Sequence, residues 1–304
     1  MPEPPSSVPP IGQVGRGFGR YRAARRSARG ARDRPASPGE PESGGFFDHP
    51  VYLRTVRAER TDATSADEAL AAARLAGCKP GALILDAGCG NGRHAVPLAR
   101  AGYRPVGFDR SASLLAAGRK SAGRARWPVF VRGCYSNLPF GAGRFEAVLS
   151  LGTALGYLGD DGDQRALCEF RRVLVPGGRL LIETLHREQL DPRAPVHEDR
   201  ELPGGATLRY HRRFDPARGI LHEVQRLRDD AGWSPPRAYD IRVYSIDELG
   251  SMLARAGLGE ARWYGSLSGA RPPTPLTALV VVARARVAVG VAGHGDDPGA
   301  RANP

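Results

Sequence analysis

Between Leu83 and Ala95 the chain reads Leu-Ile-Leu-Asp-Ala-Gly-Cys-Gly-Asn-Gly-Arg-His-Ala. Three apolar residues run into Asp86, glycines follow at alternate positions (Gly88, Gly90, Gly92), and Ala95, Val96, Leu98 and Ala99 then repeat at helical spacing. A buried strand that enters a glycine-rich turn and leaves as a helix suits a nucleotide-like ligand. Glycine lets backbone approach closely, and the first N–H groups of a helix lack intrahelical partners and face the ligand. The same residues also suit a bare strand-to-helix bend. A G-x-G-x-x-G dinucleotide fingerprint needs a glycine where Arg93 stands.

A second acid, Asp109 in Gly107-Phe108-Asp109, follows at the end of the next apolar run. At roughly 20 residues from the first glycine, an acid can accept both ribose hydroxyls of an adenosine. It can equally cap the helix that opens at Ser111.

These residues need a scaffold, and the chain supplies one as a strand–helix rhythm. Apolar runs at Ala82–Asp86, Arg104–Phe108, Val129–Val131, Phe145–Leu149 and Arg179–Glu183 read as strands. Gly92–Ala101, Ser111–Gly123 and Asp163–Leu174 read as helices, and Pro176-Gly177-Gly178 reads as a turn. Alternation with short loops makes a parallel sheet with helices on both faces. After Thr184 the rhythm changes. Thr207–Phe214, Ile220–Arg228 and Arg237–Tyr244 alternate apolar and polar residues, as a half-exposed antiparallel sheet does. Ser245 caps a helix to about Ala256, and Glu260–Tyr264 with Leu276–Ala285 closes the domain as strands.

Together these features resemble the class I S-adenosylmethionine-dependent methyltransferases, of the small-molecule type (methyltransferase domain 11/25). The resemblance rests on the glycine turn, Asp109, the Leu138-Pro139-Phe140 stretch and the Pro-Gly-Gly before strand five, and it spans the folded chain from Phe46 to Ala285. It implies an α/β fold: a Rossmann-like, seven-stranded, mostly parallel sheet with helices on both faces and an antiparallel lid insertion after strand five, at about 195–244. It implies S-adenosyl-L-methionine as cofactor, with Asp86, Gly88, Cys89, Gly90, Asn91, Gly92, Asp109, Arg110, Cys134, Tyr135, Leu151 and Tyr52 around it. Asp86 would serve the methionine amino group. Leu138 and Phe140 would support the adenine, and Phe47 joins Tyr52 as an aromatic closing over the cofactor. The family acid that meets the adenine amine aligns with Cys134, a weak acceptor, so Ser136 or a backbone carbonyl would take that task. Glu146 stands in for the family's strand-four acid.

Methyl transfer asks the protein mainly for alignment and exclusion of water. A base is required only for an acceptor that arrives protonated. His186, after strand five, and His211, in the lid sheet, are candidates; each also suits a surface histidine, and His94 suits a local hydrogen bond. Thr153 and Tyr157, in Gly152-Thr153-Ala154-Leu155-Gly156-Tyr157, are candidates to face the acceptor, though Tyr157 also suits packing on the next helix. Tyr210, Tyr239 and Tyr244 are candidates to line the acceptor cavity. An Asn/Asp-Pro-Pro-aromatic motif is missing after strand four, which argues against a base amine as acceptor. No cluster with metal-ligand spacing is visible.

The 304 residues carry a formal charge of +12. Much of it is diffuse, and Lys79 and Lys120 are the only lysines in an Arg-, Ala-, Gly- and Pro-rich chain. That pattern points to codon usage more than to a nucleic-acid partner. Residues 1–44, rich in Pro, Gly, Ser and Arg, read as a disordered basic segment, 45–286 as the methyltransferase domain and 287–304 as a flexible tail. Arg25-Arg26 lacks the apolar run of a secretion signal. Cys78, Cys89, Cys134 and Cys168 show no paired spacing and read as free thiols in a reducing, cytoplasmic setting. The longest apolar run, Leu276–Ala283, is strand-sized, so no membrane span is expected. The expected partner is a small molecule, a secondary metabolite among the options, accepting on oxygen or nitrogen; a homodimer is also compatible. Three other readings stay open: a nicotinamide oxidoreductase, which Arg93 disfavours; a methyltransferase on RNA or protein; and a non-catalytic cofactor-binding protein, for which Cys134 speaks.

Overall fold

The computed structural model describes residues 47–48, 52, 62–202, 204–270, 273–274 and 277–286. The expected disordered segment, most of the stretch after Phe46 that opens the expected folded chain, and the tail lie outside these residues. The elements in chain order are α1 (Asp62–Leu75), β1 (Leu83–Ala87), α2 (Ala95–Arg100), β2 (Arg104–Asp109), α3 (Ala112–Ala122), β3 (Val129–Arg132), β4 (Phe145–Ser150), α4 (Gly159–Val173) and β5 (Leu174–Thr184). They continue with β6 (Val196–Glu201), β7 (Thr207–Asp215), β8 (Ile220–Asp229), β9 (Gly232–Trp233), β10 (Arg237–Arg242), α5 (Ile246–Arg255), β11 (Leu258–Tyr264) and β12 (Leu279–Ala285).

A seven-stranded sheet runs in the order β11-β12-β5-β4-β1-β2-β3. Its first five strands in sequence are parallel, and β12 is antiparallel to both β5 and β11. Period-2 alternation explains the two faces. Ile84, Val280 and Val282 join the core under α1 and α2, whereas Leu85, Val281 and Ala283 join the core under α4 and α5. The alanine face of α1 (Ala69, Ala72, Ala73) lets that helix lie close to the sheet. Helix α4 meets the other face with Leu167, Phe170 and Val173. Each such fully buried large side chain contributes about 2–3 kcal/mol.

The second sheet, in the order β10-β8-β7-β6 with β9 paired to β8, is wholly antiparallel and follows β5. It is the expected lid, with β6 and β9 added. Helix α4 starts four residues before the expected Asp163, at Gly159. The expected turn at Pro176-Gly177-Gly178 instead lies within β5. There Phe145 pairs with Leu174 and Ala147 with Arg179, so the extra residues form a bulge, with Gly177 at φ +79°. Helix α5 carries the expected cap as a full capping box. Ser245 Oγ accepts from Glu248 N at 3.1 Å, and Glu248 Oε2 accepts from Ser245 N at 2.8 Å.

Candidate active site

The parallel strands end together on one edge of the main sheet, where reactive groups and ligands collect in open α/β folds. Asp86 stands on this edge, 1% exposed, and its Oδ2 has no hydrogen-bond partner among the described residues. Burial pushes its carboxyl up to about 7, with Arg93 and the Ala95 N–H working against the rise and Asp109 adding to it. Arg93, at the missing third glycine, is a built feature. Its guanidinium pairs with Glu68 of α1, which also sits 3.1 Å from His94 Nε2, and its other end lies beside Gly152. His94 therefore reaches across to α1 instead of making the expected local hydrogen bond.

Gly88 has φ +81°, and a Cβ there would stand 2.5 Å from the Ala154 Cβ. Only glycine brings the two loops this close. Gly90 N donates to Asp109 Oδ2 at 2.8 Å, and Ser111 N donates to Asp109 Oδ1 at 2.8 Å. Burial raises the Asp109 pKa while these backbone N–H groups oppose the rise. Asp109 thus ties the glycine turn to the start of α3, with the Arg110 N–H as a third backbone partner. Ser111, the cap of α3, also donates to Asp48 Oδ1 at 2.6 Å, which brings the Phe47–Asp48 segment over this corner.

Several expected contacts resolve differently. Cys89 is buried in the core with Leu115 and Phe130, so its side chain faces away from the edge. Leu151 is buried under α1 and offers the edge only its backbone. Leu138 and Phe140 turn into the core, where Phe140 meets Phe108 and Phe145, because Arg172 of α4 donates to the carbonyls of both Leu138 and Phe140. Glu146 lies at the opposite end of the sheet and accepts from Leu83 N at 3.2 Å. Arg110 and Cys134 are exposed; Cys134 Sγ lies 3.2 Å from Ser136 Oγ. Asn91 is half-buried in the turn. The Tyr135 hydroxyl donates to Ala154 O and so holds the loop after β4.

That loop carries strain. Thr153 has φ 62°, a left-handed conformation rare for a β-branched residue, and its N–H donates to Glu183 O at 3.1 Å. Gly156 O accepts from Arg242 N at 2.8 Å, which joins the loop to the base of the lid. Tyr157 then meets an aromatic wall. Phe47 lies 5.0 Å from Tyr52 and 5.2 Å from Tyr157, centroid to centroid, and Tyr157 lies 6.0 Å from Tyr239 of β10.

The lid's inner face supplies an acid the sequence reading missed. Glu223 is 2% exposed and accepts from Arg212 Nε on one oxygen and from the Tyr239 hydroxyl and Gln225 Nε2 on the other. Burial drives the Tyr157 and Tyr239 hydroxyls well above their ordinary range, and Glu223 adds to both. The signal for Glu223 was parity: it shares a face with Leu221 and Leu227 of β8, as Arg212 does with Leu208 and Phe214 of β7.

His211 falls on the other parity. It is exposed on the outer face, stacked on His197 at 4.1 Å, and is corrected as a base for an inner-face site. His186 is buried, with Nδ1 2.8 Å from Thr274 O, so its ring joins the start of the lid to the approach to β12. The three lid tyrosines separate: Tyr239 reaches the wall, Tyr210 packs with Leu202, Leu208 and Leu227, and the Tyr244 hydroxyl donates to Asp163 Oδ2 at 2.9 Å in the core. Among the described residues no group of three or more His, Cys, Asp or Glu is placed to hold a metal ion, and no helix is long and apolar enough to cross a membrane.

Residues 84–178 match the family model described as a methyltransferase domain. Over 200 residues, 64% of this chain and 73% of the relative, the sequence is 30% identical to the demethylmenaquinone methyltransferase of Tropheryma whipplei (strain Twist). The chain belongs to the class I S-adenosylmethionine-dependent methyltransferases. It is also 35% identical over 108 residues to an uncharacterized methyltransferase, sll0829, of Synechocystis, which it spans for 49% of that protein's length. The chain thus spans half or less of the first curated relatives it matches. The solved CcbJ methyltransferase from Streptomyces caelestis superposes with a TM-score of 0.66 at 25% identity, covering 80% of this chain and 98% of that one.

S-adenosylmethionine is the cofactor of this family member, and the sheet edge fits it. The orphaned Asp86 oxygen suits its ammonium, and the Gly88 approach leaves no side chain over the turn. At the adenine end the fit is thinner, since Cys134 offers a weak acceptor.

Proposed function

We propose that this methyltransferase acts on an oxygen or nitrogen atom of a small molecule, a secondary metabolite being the natural class. The observation that carries this reading is the aromatic wall where three parts of the chain meet above the sheet edge: the N-terminal segment (Phe47, Tyr52), the loop after β4 (Tyr157) and the lid (Tyr239). A wall closed by a lid suits a compact acceptor and keeps water out.

When bound, the cofactor supplies an electrophilic methyl group. Asp86, Gly88, Gly90 and Asp109 would hold its methionine and ribose parts, with Arg93 beside them. Tyr135, by fixing Ala154 O, keeps the post-β4 loop against Gly88. The rings orient the acceptor. The test is transfer of labelled methyl by the purified chain into small metabolites fractionated from the source organism, beside nuclease- and protease-treated lysate. Label in a small-molecule fraction is expected. Label confined to nuclease- or protease-sensitive material would overturn the reading.

A further inference from the structure

The chain is strongly basic, at +12, yet the side chains gathered around the sheet edge and the inner lid include four acids: Asp86, Asp109, Glu183 and Glu223. The cofactor reading accounts for Asp86 and Asp109. Glu183, at the end of β5, accepts from Gly152 N at 3.1 Å and braces the loop. Glu223 is left, buried beside the aromatic wall and unneeded by the cofactor. We infer that the acceptor is a basic amine that docks as its cation between Glu223 and the rings of Tyr157 and Tyr239, where the Glu223 carboxylate would take one N–H proton and so free the nitrogen lone pair to receive the methyl group. This rests on the methyl-transfer reading above and adds the chemical class of the acceptor.

The arrangement of Glu223 favours a cation. Arg212 engages Oε2, and its guanidinium is drawn aside over the Tyr210 ring, 4.7 Å from the centroid. Oε1 turns the other way, toward the wall, where it accepts from the Tyr239 hydroxyl and from Gln225 Nε2. Burial and, among the neighbouring groups, the Glu223 carboxylate push the Tyr157 and Tyr239 hydroxyls up, while Arg212 works against the rise. A neutral hydroxyl acceptor would gain one hydrogen bond there. An ammonium gains the carboxylate charge at low dielectric and the negative faces of the rings.

The test uses the full chain saturated with S-adenosylhomocysteine and two probes: choline, and the neutral isostere in which a quaternary carbon replaces its nitrogen. Isothermal titration should show choline binding about tenfold more tightly or better. In Glu223→Gln that preference should shrink to about threefold or less. Tyr157→Leu should shrink it likewise and carries the test if the Glu223 variant shows no cooperative melt. Equal affinity for the two probes, no binding of either, or a preference that survives in both variants would overturn the inference. The S-adenosylhomocysteine titration on the same wild-type sample reports separately on the cofactor site, so its failure would count against the methyl-transfer reading itself.

Discussion

Asp86→Asn should trade function for stability. The Asp86 carboxyl is buried, has an orphaned oxygen and titrates at about 7 in the folded chain. In the unfolded chain it titrates near the ordinary aspartate value, about 3.9. A raised acid pKa means that the native state holds the proton longer. Its contribution is therefore most favourable below the unfolded value and is lost as pH rises through the folded one. At about 1.4 kcal/mol per unit, wild type should lose about 3 kcal/mol relative to Asp86→Asn between pH 5 and 8. The asparagine carries its own buried amide cost of about 1–3 kcal/mol, which does not vary with pH, so the pH dependence of the difference is the clean readout. Urea unfolding of both proteins without cofactor, at pH 5, 6, 7 and 8, measures it. Binding should run the opposite way. With the ionised carboxylate in its proposed role as partner for the cofactor ammonium, the wild-type affinity for S-adenosylhomocysteine should rise about tenfold per unit below 7 and level off above it. In Asp86→Asn the affinity should be weak and flat across that range. A stability difference that stays constant from pH 5 to 8, together with a flat wild-type binding profile, would refute the assignment of both the shift and the role.

Other substitutions test the frame around this residue. Thr153→Gly relieves a left-handed β-branched residue and should stabilise by about 1 kcal/mol in urea unfolding. Ser245→Ala removes the hydroxyl half of the capping box of α5 and should cost about 1 kcal/mol at pH 5 and pH 8 alike, because the Glu248 carboxylate keeps its bond to the backbone N–H of residue 245. Tyr244→Phe leaves Asp163, whose pKa burial has raised to about 6, without its hydroxyl donor, and should cost about 1–3 kcal/mol at pH 8 and less at pH 5.

The parallel half of the fold was legible because each strand is short, apolar and followed by a glycine or polar stop, so periodicity and punctuation agree. The bulge in β5 was not. Pro176-Gly177-Gly178 has the composition of a turn, and only pairing with β4 carries it into the strand. The lid was legible as a half-exposed sheet, but not which of its reactive side chains face inward. His211 drew attention as a residue type able to take protons, but the parity of Leu208 and Phe214 sends it outward and Arg212 inward. In a half-exposed strand the apolar residues, not the reactive ones, say which face matters.

The same logic accounts for the weak adenine end. Leu138 and Phe140 match a family pattern in sequence, yet their direction is set by α4, where Glu169 and Arg172 grip the backbone of the stretch and turn both side chains into the core. The half-buried Tyr135 is held by Ala154 O, and Cys134 is left exposed beside Ser136. We propose that recognition in this chain is weighted toward the opposite end, where Asp86, Arg93 and the Gly88 contact are all positioned by packing. Charge set there is worth more than a thiol at an exposed rim, because burial lowers the dielectric around the first and water screens the second. Cys134→Asp should accordingly tighten S-adenosylhomocysteine by about threefold to tenfold, since an exposed carboxylate accepting one amine gains about 1 kcal/mol. Equilibrium titration measures it. A loss of affinity on that substitution would mean that the adenine does not lie against Cys134 at all.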